Sequence, residues 1–182
     1  MKVAIYSPYL DSCGGGERYI LTIAEILAAE HQVEILLDPH LMSLGVDLKL
    51  KLSKQLNIDL SKCRLVAAPI GRGSKIWQRW SFFKQYDLLI SLTDGSIFYA
   101  SAKKNLLHIQ SPIKPPKLNS WWNQIKLKSW DMIIYNSQFT QNAAQDYWRL
   151  PGKVLYPPVE IDQLKPMFKK KQILTVGRDR KS

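Results

Sequence analysis

Cysteine, histidine and acidic residues are the scarce components of this chain. Two of its 182 residues are cysteine and three are histidine, and 15 acids stand against 26 lysines and arginines. Cys13 and Cys63 have no metal-ligand spacing between them, and no His/Asp/Cys cluster has it elsewhere, so neither a metal nor any other bound cofactor is predicted. The thiols are expected to be free, as in a cytoplasmic protein. No window holds 18 uninterrupted apolar residues, so no transmembrane helix is expected. "MKVAIYSPYLD" carries one lysine and a strand-length apolar run, too short and too soon broken for a secretory leader. The length suits one α/β domain rather than two complete ones.

What is abundant is positive charge, +11 net and unevenly spread. Six Lys/Arg residues and no acid lie between Asp59 and Asp87, and six lysines and no acid between Asp94 and Asp131. Such fields attract nucleic acid, anionic lipid or phosphorylated small molecules. They also serve as plain solvated surface.

Hydrophobic period and punctuation alternate between strand and helix. Strands are predicted in "KVAIYSP", "QVEILLD", "CRLVAAP", "YDLLISL", "KNLLHIQ", "DMIIYNS" and "KVLYPP". Several are near-continuous apolar runs, the mark of strands buried on both faces of a parallel sheet. Ile20, Ile23, Ala24, Leu27 and Ala28 recur at helical spacing, predicting a helix over Glu17 to Ala29 with Glu17 in the first turn, where the helix dipole favours an acid. "QFTQNAAQDYW" predicts a crossover helix with Phe139, Ala143 and Tyr147 on one stripe and Ser137 as N-cap. "IDQLKPMFKKKQ" has the composition of a linker, and "QILTVGR" begins a new strand close to the end of the sequence.

Gly14 to Gly16, in "CGGGERY", invite three phosphate-binding readings. The P-loop needs a lysine and hydroxyl that this stretch lacks. The dinucleotide fingerprint needs a tight turn directly after the strand, whereas these glycines come about six residues beyond Ser7, although Asp38 stands where a ribose-binding acid belongs. The third reading is a looser loop that brings backbone N–H groups to a polar ligand at a helix N-terminus. A flexible connection with no ligand competes with it.

"KVAIYSPYLDSCGGGERYILTIAEILA", "LLHIQSP", "MIIYNSQFTQNAAQDYW", "VLYPPVEIDQL" and "ILTVGR", in that order, resemble a glycosyltransferase of family four, with the GT-B fold, over Lys2 to Arg178. The resemblance implies an α/β, Rossmann-like parallel sheet flanked by helices. It implies an N-terminal, acceptor-side domain over residues 1–164. Residues 165–182 would be a linker and the first strand of a C-terminal donor-binding domain, whose carboxylate pair lies outside this chain. The implied activity is transfer of a sugar, of the hexosyl type, from a nucleotide-sugar donor to a saccharide or lipid-linked acceptor, with the chain alone inactive.

By the same resemblance Gly15 and Gly16, with Gly14, lie against the donor diphosphate and the acceptor. His108, at a strand's carboxyl end, faces the sugar as the catalytic candidate, against the reading of a satisfied structural histidine. Thr93 and Asp94 line the same crevice or form an ordinary Asp-Gly turn. Asn136 and Ser137 match a family "NS", and Arg178 meets the donor phosphate; "DRKS" beyond it lacks the family's "KG", which leaves Lys181 unassigned. Two basic stretches rich in aromatics, carrying Trp77, Trp80, Phe83 and Trp121, Trp122, Trp130, suit insertion at an anionic bilayer interface, on the inner face of the membrane, against the reading that half of the tryptophans are core or cover the helix–sheet contact. No nucleic-acid motif accompanies them. Two other classes remain beside the enzyme: a non-catalytic module for anionic lipid or nucleic acid, and a dinucleotide-dependent oxidoreductase, which the glycine spacing disfavours.

Overall fold

A computed structural model describes residues 1–70, 74–112, 114–115 and 120–159. All seven predicted strands form: β1 Lys2–Tyr6, β2 Gln32–Leu37, β3 Arg64–Ala67, β4 Leu88–Leu92, β5 Lys104–Ile109, β6 Met132–Tyr135 and β7 Gly152–Val154. They make one parallel sheet in the order β3-β2-β1-β4-β5-β6-β7. The near-continuous apolar runs are explained by cover on both faces. Val3, Ile5, Val33, Ile35 and Leu37 pack beneath helices α1 (Gly15–Ala28) and α2 (Gly45–Leu56). Ala4, Tyr6, Leu36, Leu107 and Ile133 pack on the other face, beneath α3 (Ile76–Phe83), α4 (Trp121–Lys128) and α5 (Gln138–Trp148). This is the doubly wound, Rossmann-like arrangement expected from the sequence.

Strand order reverses between β1 and β4, where a crevice opens at the carboxyl ends of the strands. The chain leaves β4 toward β5 through residues 93–103 without a helix, which keeps that end of the sheet uncovered.

Two details differ from the sequence reading. The buried stripe of α5 is Thr140, Ala144 and Trp148, while Phe139 and Tyr147 point outward. The large, fully buried Trp148 outweighs the neighbouring stripe, which has the same four-residue period. Phe83 and Trp130, candidates for a bilayer interface, are core residues. Both pack on Phe98, and the Trp130 indole N–H donates to the Phe98 carbonyl (3.1 Å). The linker, the final strand pattern, Arg178 and Lys181 lie outside the described residues.

Candidate functional site at the strand reversal

A short 3-10 turn, Leu10–Ser12, follows β1 and ends at Cys13 in the left-handed region (φ 49°, ψ 37°). A non-glycine residue there stores a little backbone strain beside the loop. Gly14 is extended (φ −82°) and caps α1, whose first two residues are Gly15 and Gly16. Positive φ is therefore not what requires glycine in this triplet; among the described glycines only Gly95 has one. Space is the reason for glycine at Gly16. A Cβ on Gly16 would strike the Gln110 side-chain amide, whereas a Cβ on Gly15 would meet open space. The first intrahelical hydrogen bond runs from Arg18 N–H to the Gly14 carbonyl, so the Gly15 and Gly16 N–H groups precede the helix ladder.

Glu17 holds this loop in place. Its buried carboxylate accepts from the Ser7 hydroxyl (3.2 Å), the Ser12 hydroxyl (3.1 Å) and the Gly14 N–H (2.9 Å). One side chain thus ties the end of β1, the 3-10 turn and the helix cap together. The signal in the sequence was the three-residue spacing from cap to acid, the N-terminal half of a capping box.

The loop forms one wall of a cavity of about 920 Å³. Thr93 and Asp94 line it from the end of β4, Gln110 and Ser111 from β5, Asn136 from β6, and Pro157 to Val159 from the segment after β7. Thr93 is spent on its turn, donating to the Ser96 carbonyl (2.6 Å) and accepting from Gly95 N–H (3.0 Å). Asp94 accepts from the Tyr9 hydroxyl (2.9 Å), the Ser96 hydroxyl (2.6 Å) and the Ser96 N–H (3.0 Å). Burial opposes ionisation of Asp94, but these hydrogen bonds outweigh it and hold the carboxyl below the usual range. The Asp-Gly turn forms, and it stands in the cavity wall. Asn136 donates to the Gln110 carbonyl (2.8 Å), and Ser137 caps α5 by accepting from Thr140 N–H (3.1 Å). Arg18 lines the cavity as an exposed cation in the first turn of α1; sequence reasoning had not singled it out.

His108 lies one layer deeper than expected. It is fully buried, both ring nitrogens lack a hydrogen-bond partner, and burial depresses its pKa to about 3. Tyr19 covers it, the rings stacked with centroids 4.4 Å apart, and Tyr19 rather than His108 lines the cavity. Asp38 is set apart from the cavity and accepts from the Tyr6 hydroxyl (3.2 Å).

A second concavity, a groove of about 750 Å³, runs between α3 and α4, with Ile76, Trp77, Trp80, Tyr99, Trp122 and Ile125 on its walls. Trp77, Trp80, Trp121 and Trp122 are all exposed, Trp121 and Trp122 lie 4.0 Å apart, and the Lys84 ammonium sits 4.6 Å over the Trp80 ring. Both cysteines are free. Among the described residues, no cluster of three or more His, Cys, Asp or Glu gathers to hold a metal, and no helix is long and apolar enough to cross a membrane.

No protein-family model and no curated protein matches the chain. Among solved structures it is similar to Anabaena HepE in complex with UDP and glucose, at 17% identity and a TM-score of 0.48 over 89% of this chain and 46% of HepE. It is also similar to AtPrR2 in apo form, at 15% identity and a TM-score of 0.37 over 85% of this chain and 47% of that one. The chain spans just under half the length of each. At these scores the fold assignment rests on the chain's own sheet order and register.

Proposed function

We propose that this domain is the acceptor-binding half of a glycosyltransferase that moves a hexosyl group from a nucleotide-sugar donor to a saccharide or lipid-linked acceptor. The observation that carries the reading is the cavity at the β1/β4 reversal, with a helix N-terminus on one wall and hydrogen-bonding side chains on the others. The Gly15 and Gly16 N–H groups and the Arg18 cation suit the negative charge that grows on a departing diphosphate. Asp94, Gln110 and Asn136 supply the donors and acceptors that sugar hydroxyls need. His108 contacts the sugar only once Tyr19 turns aside. In this reading residues 1–164 are the acceptor domain, and residues 165–182, with Arg178 on the donor phosphate, begin the donor domain. The chain alone then binds acceptor without transferring sugar, because half of the cleft is missing.

Trp77, Trp80, Trp121 and Trp122, set among lysines, hold the domain on the cytoplasmic face of an anionic membrane. The same exposed tryptophans favour a second reading, a non-catalytic module for anionic lipid. Ligand-detected NMR on the 182-residue chain, with simple saccharides and UDP-hexoses, separates the two. Saccharide binding that is lost in Gly15→Val supports the acceptor domain. Lipid binding without saccharide binding favours the module, and robust transfer by this chain alone overturns the half-cleft reading.

A further inference from the structure

Arg79 is a partly buried cation that the site described above does not use. It projects from α3, on the face of the sheet opposite α1, into a separate cavity of about 310 Å³ lined also by Tyr6, Ser91, Ser96 and Phe98. That cavity shares Leu92 and Asp94 with the larger one, so the two meet across the carboxyl end of β4.

The guanidinium is under-partnered for its burial. One terminal nitrogen donates to the Ser74 hydroxyl (2.5 Å), and the group lies 5.8 Å from the Phe98 ring centroid. Its Nε–H is buried with no acceptor. Among the described residues no carboxylate forms an ion pair with it. Asp38 and Asp94, the carboxylates acting on neighbouring Tyr6, are engaged by hydroxyls: Asp38 by Tyr6, and Asp94 by Tyr9 and Ser96. Burial draws the Arg79 pKa down, and the neighbouring Tyr6 only partly offsets it. An unpaired buried N–H on a charged group is costly, and an arriving oxyanion recovers that cost.

We infer that Arg79 forms an oxyanion subsite beside the main cavity, which recognises a phosphate or carboxylate group on the molecule bound there. Once the side chain turns to bring its shielded Nε–H to the cavity, the fork of Nε–H and a terminal N–H matches two oxygens of one such group, a geometry that lysine does not offer. Joined to the proposed transfer, this makes the acceptor an acidic or phosphorylated saccharide. That step rests on the transferase reading, whereas the anion site does not.

The test is a titration of the ¹⁵N-labelled 182-residue chain with inorganic phosphate, acetate and chloride, read at the Arg79 Nε–H resonance. A saturable shift with phosphate or acetate, weakened roughly tenfold or more in Arg79→Gln as read by calorimetry, is the expected result. Arg79→Lys retains the charge without the fork and recovers only part of the affinity, while Lys54→Gln, at an exposed position of α2 on the opposite face of the sheet, leaves it intact. Stronger binding of phosphate marks a phosphorylated ligand, and stronger binding of acetate a carboxylated one. No saturable shift with either anion, or equal affinity in folded Arg79→Gln, overturns the subsite. Saccharide binding is measured separately, so its absence would sink the transferase reading without touching this one.

Discussion

Tyr19 lies over His108 with its ring tilted 25° from the imidazole, and its hydroxyl donates to the Leu155 carbonyl (2.8 Å). One side chain thus covers a buried imidazole and ties α1 to the segment that continues into the cavity wall at Pro157 to Val159. Diethyl pyrocarbonate should leave His108 unmodified in the wild type and modify it readily in Tyr19→Ala, as read by peptide mass spectrometry. Tyr19→Phe keeps the cover and loses the tie, at about 1 kcal/mol of stability. Equal His108 reactivity in wild type and Tyr19→Ala would show that Tyr19 is not the cover.

Burial of the His108 imidazole makes a pH prediction with a definite sign. Its folded pKa is about 3 and its ordinary value 6.5, so between those limits the unfolded chain binds the extra proton. Stability therefore falls as pH drops from about 6.5 toward 3, by up to about 1.4 kcal/mol per pH unit from this group. His108→Phe removes the titration and keeps a stacked ring. Urea melts from pH 7 to 5.5, above most of the carboxylate range, should show a shallower pH slope in the variant than in the wild type. Parallel slopes would contradict the buried neutral imidazole.

Glu17→Gln should loosen the glycine loop. The amide keeps one acceptor oxygen but sets an NH₂ group against donors that now point at a carboxylate. The expected cost is about 1–3 kcal/mol by denaturant melt, with faster amide exchange at Gly14 and its neighbours. Unchanged stability and exchange would mean that the loop holds its shape without this anchor.

The sheet was legible in the sequence because its strands are buried on both faces, and a continuous apolar run between turn residues is a strong signal. The helices were less legible in proportion to their dependence on tertiary packing. In α5 two adjacent stripes share a period of four, and only contact with the sheet selects Thr140, Ala144 and Trp148. In α3 and α4 the exposed tryptophans and lysines obscure short helices that bury little beyond Phe83 and Leu127. Of the site, the glycine loop and the turn at Thr93 and Asp94 follow from strand ends, which are local. The depth of His108 does not, because the ring that covers it comes from a helix 89 positions earlier in the chain. Arg79 was one cation among many until the fold placed its Nε–H in the interior without an acceptor.

The proposed membrane contact through α3 and α4 predicts binding to anionic vesicles that exceeds binding to neutral ones and weakens with salt. Trp77→Ala with Trp121→Ala, both at exposed positions, should reduce that binding severalfold and leave the melting temperature nearly unchanged. Vesicle co-sedimentation across a salt series checks it. Equal binding to neutral and anionic vesicles, or binding indifferent to both tryptophans, would remove the membrane role.

The glycine loop separates fold from function at two adjacent positions. Gly15 faces open space at the cavity wall, so Gly15→Ala meets no atom of the protein and should change stability by no more than about 1 kcal/mol, through backbone entropy. Gly16→Ala must push the Gln110 amide aside. That amide is the far end of a flexible side chain, so the expected cost is also modest, roughly 1 kcal/mol, with Gln110 displaced from the cavity. A ligand that lies against the Gly15 N–H would feel the new methyl group directly. Saccharide affinity on this chain should then fall about tenfold or more in Gly15→Ala, while the melting temperature stays level. Gly16→Ala should lose affinity as well, and Gly16→Ala with Gln110→Ala should recover stability but not affinity, since Gln110 is itself part of the wall. Normal saccharide affinity in Gly15→Ala, in a protein that melts normally, would reduce the triplet to a connection between β1 and α1.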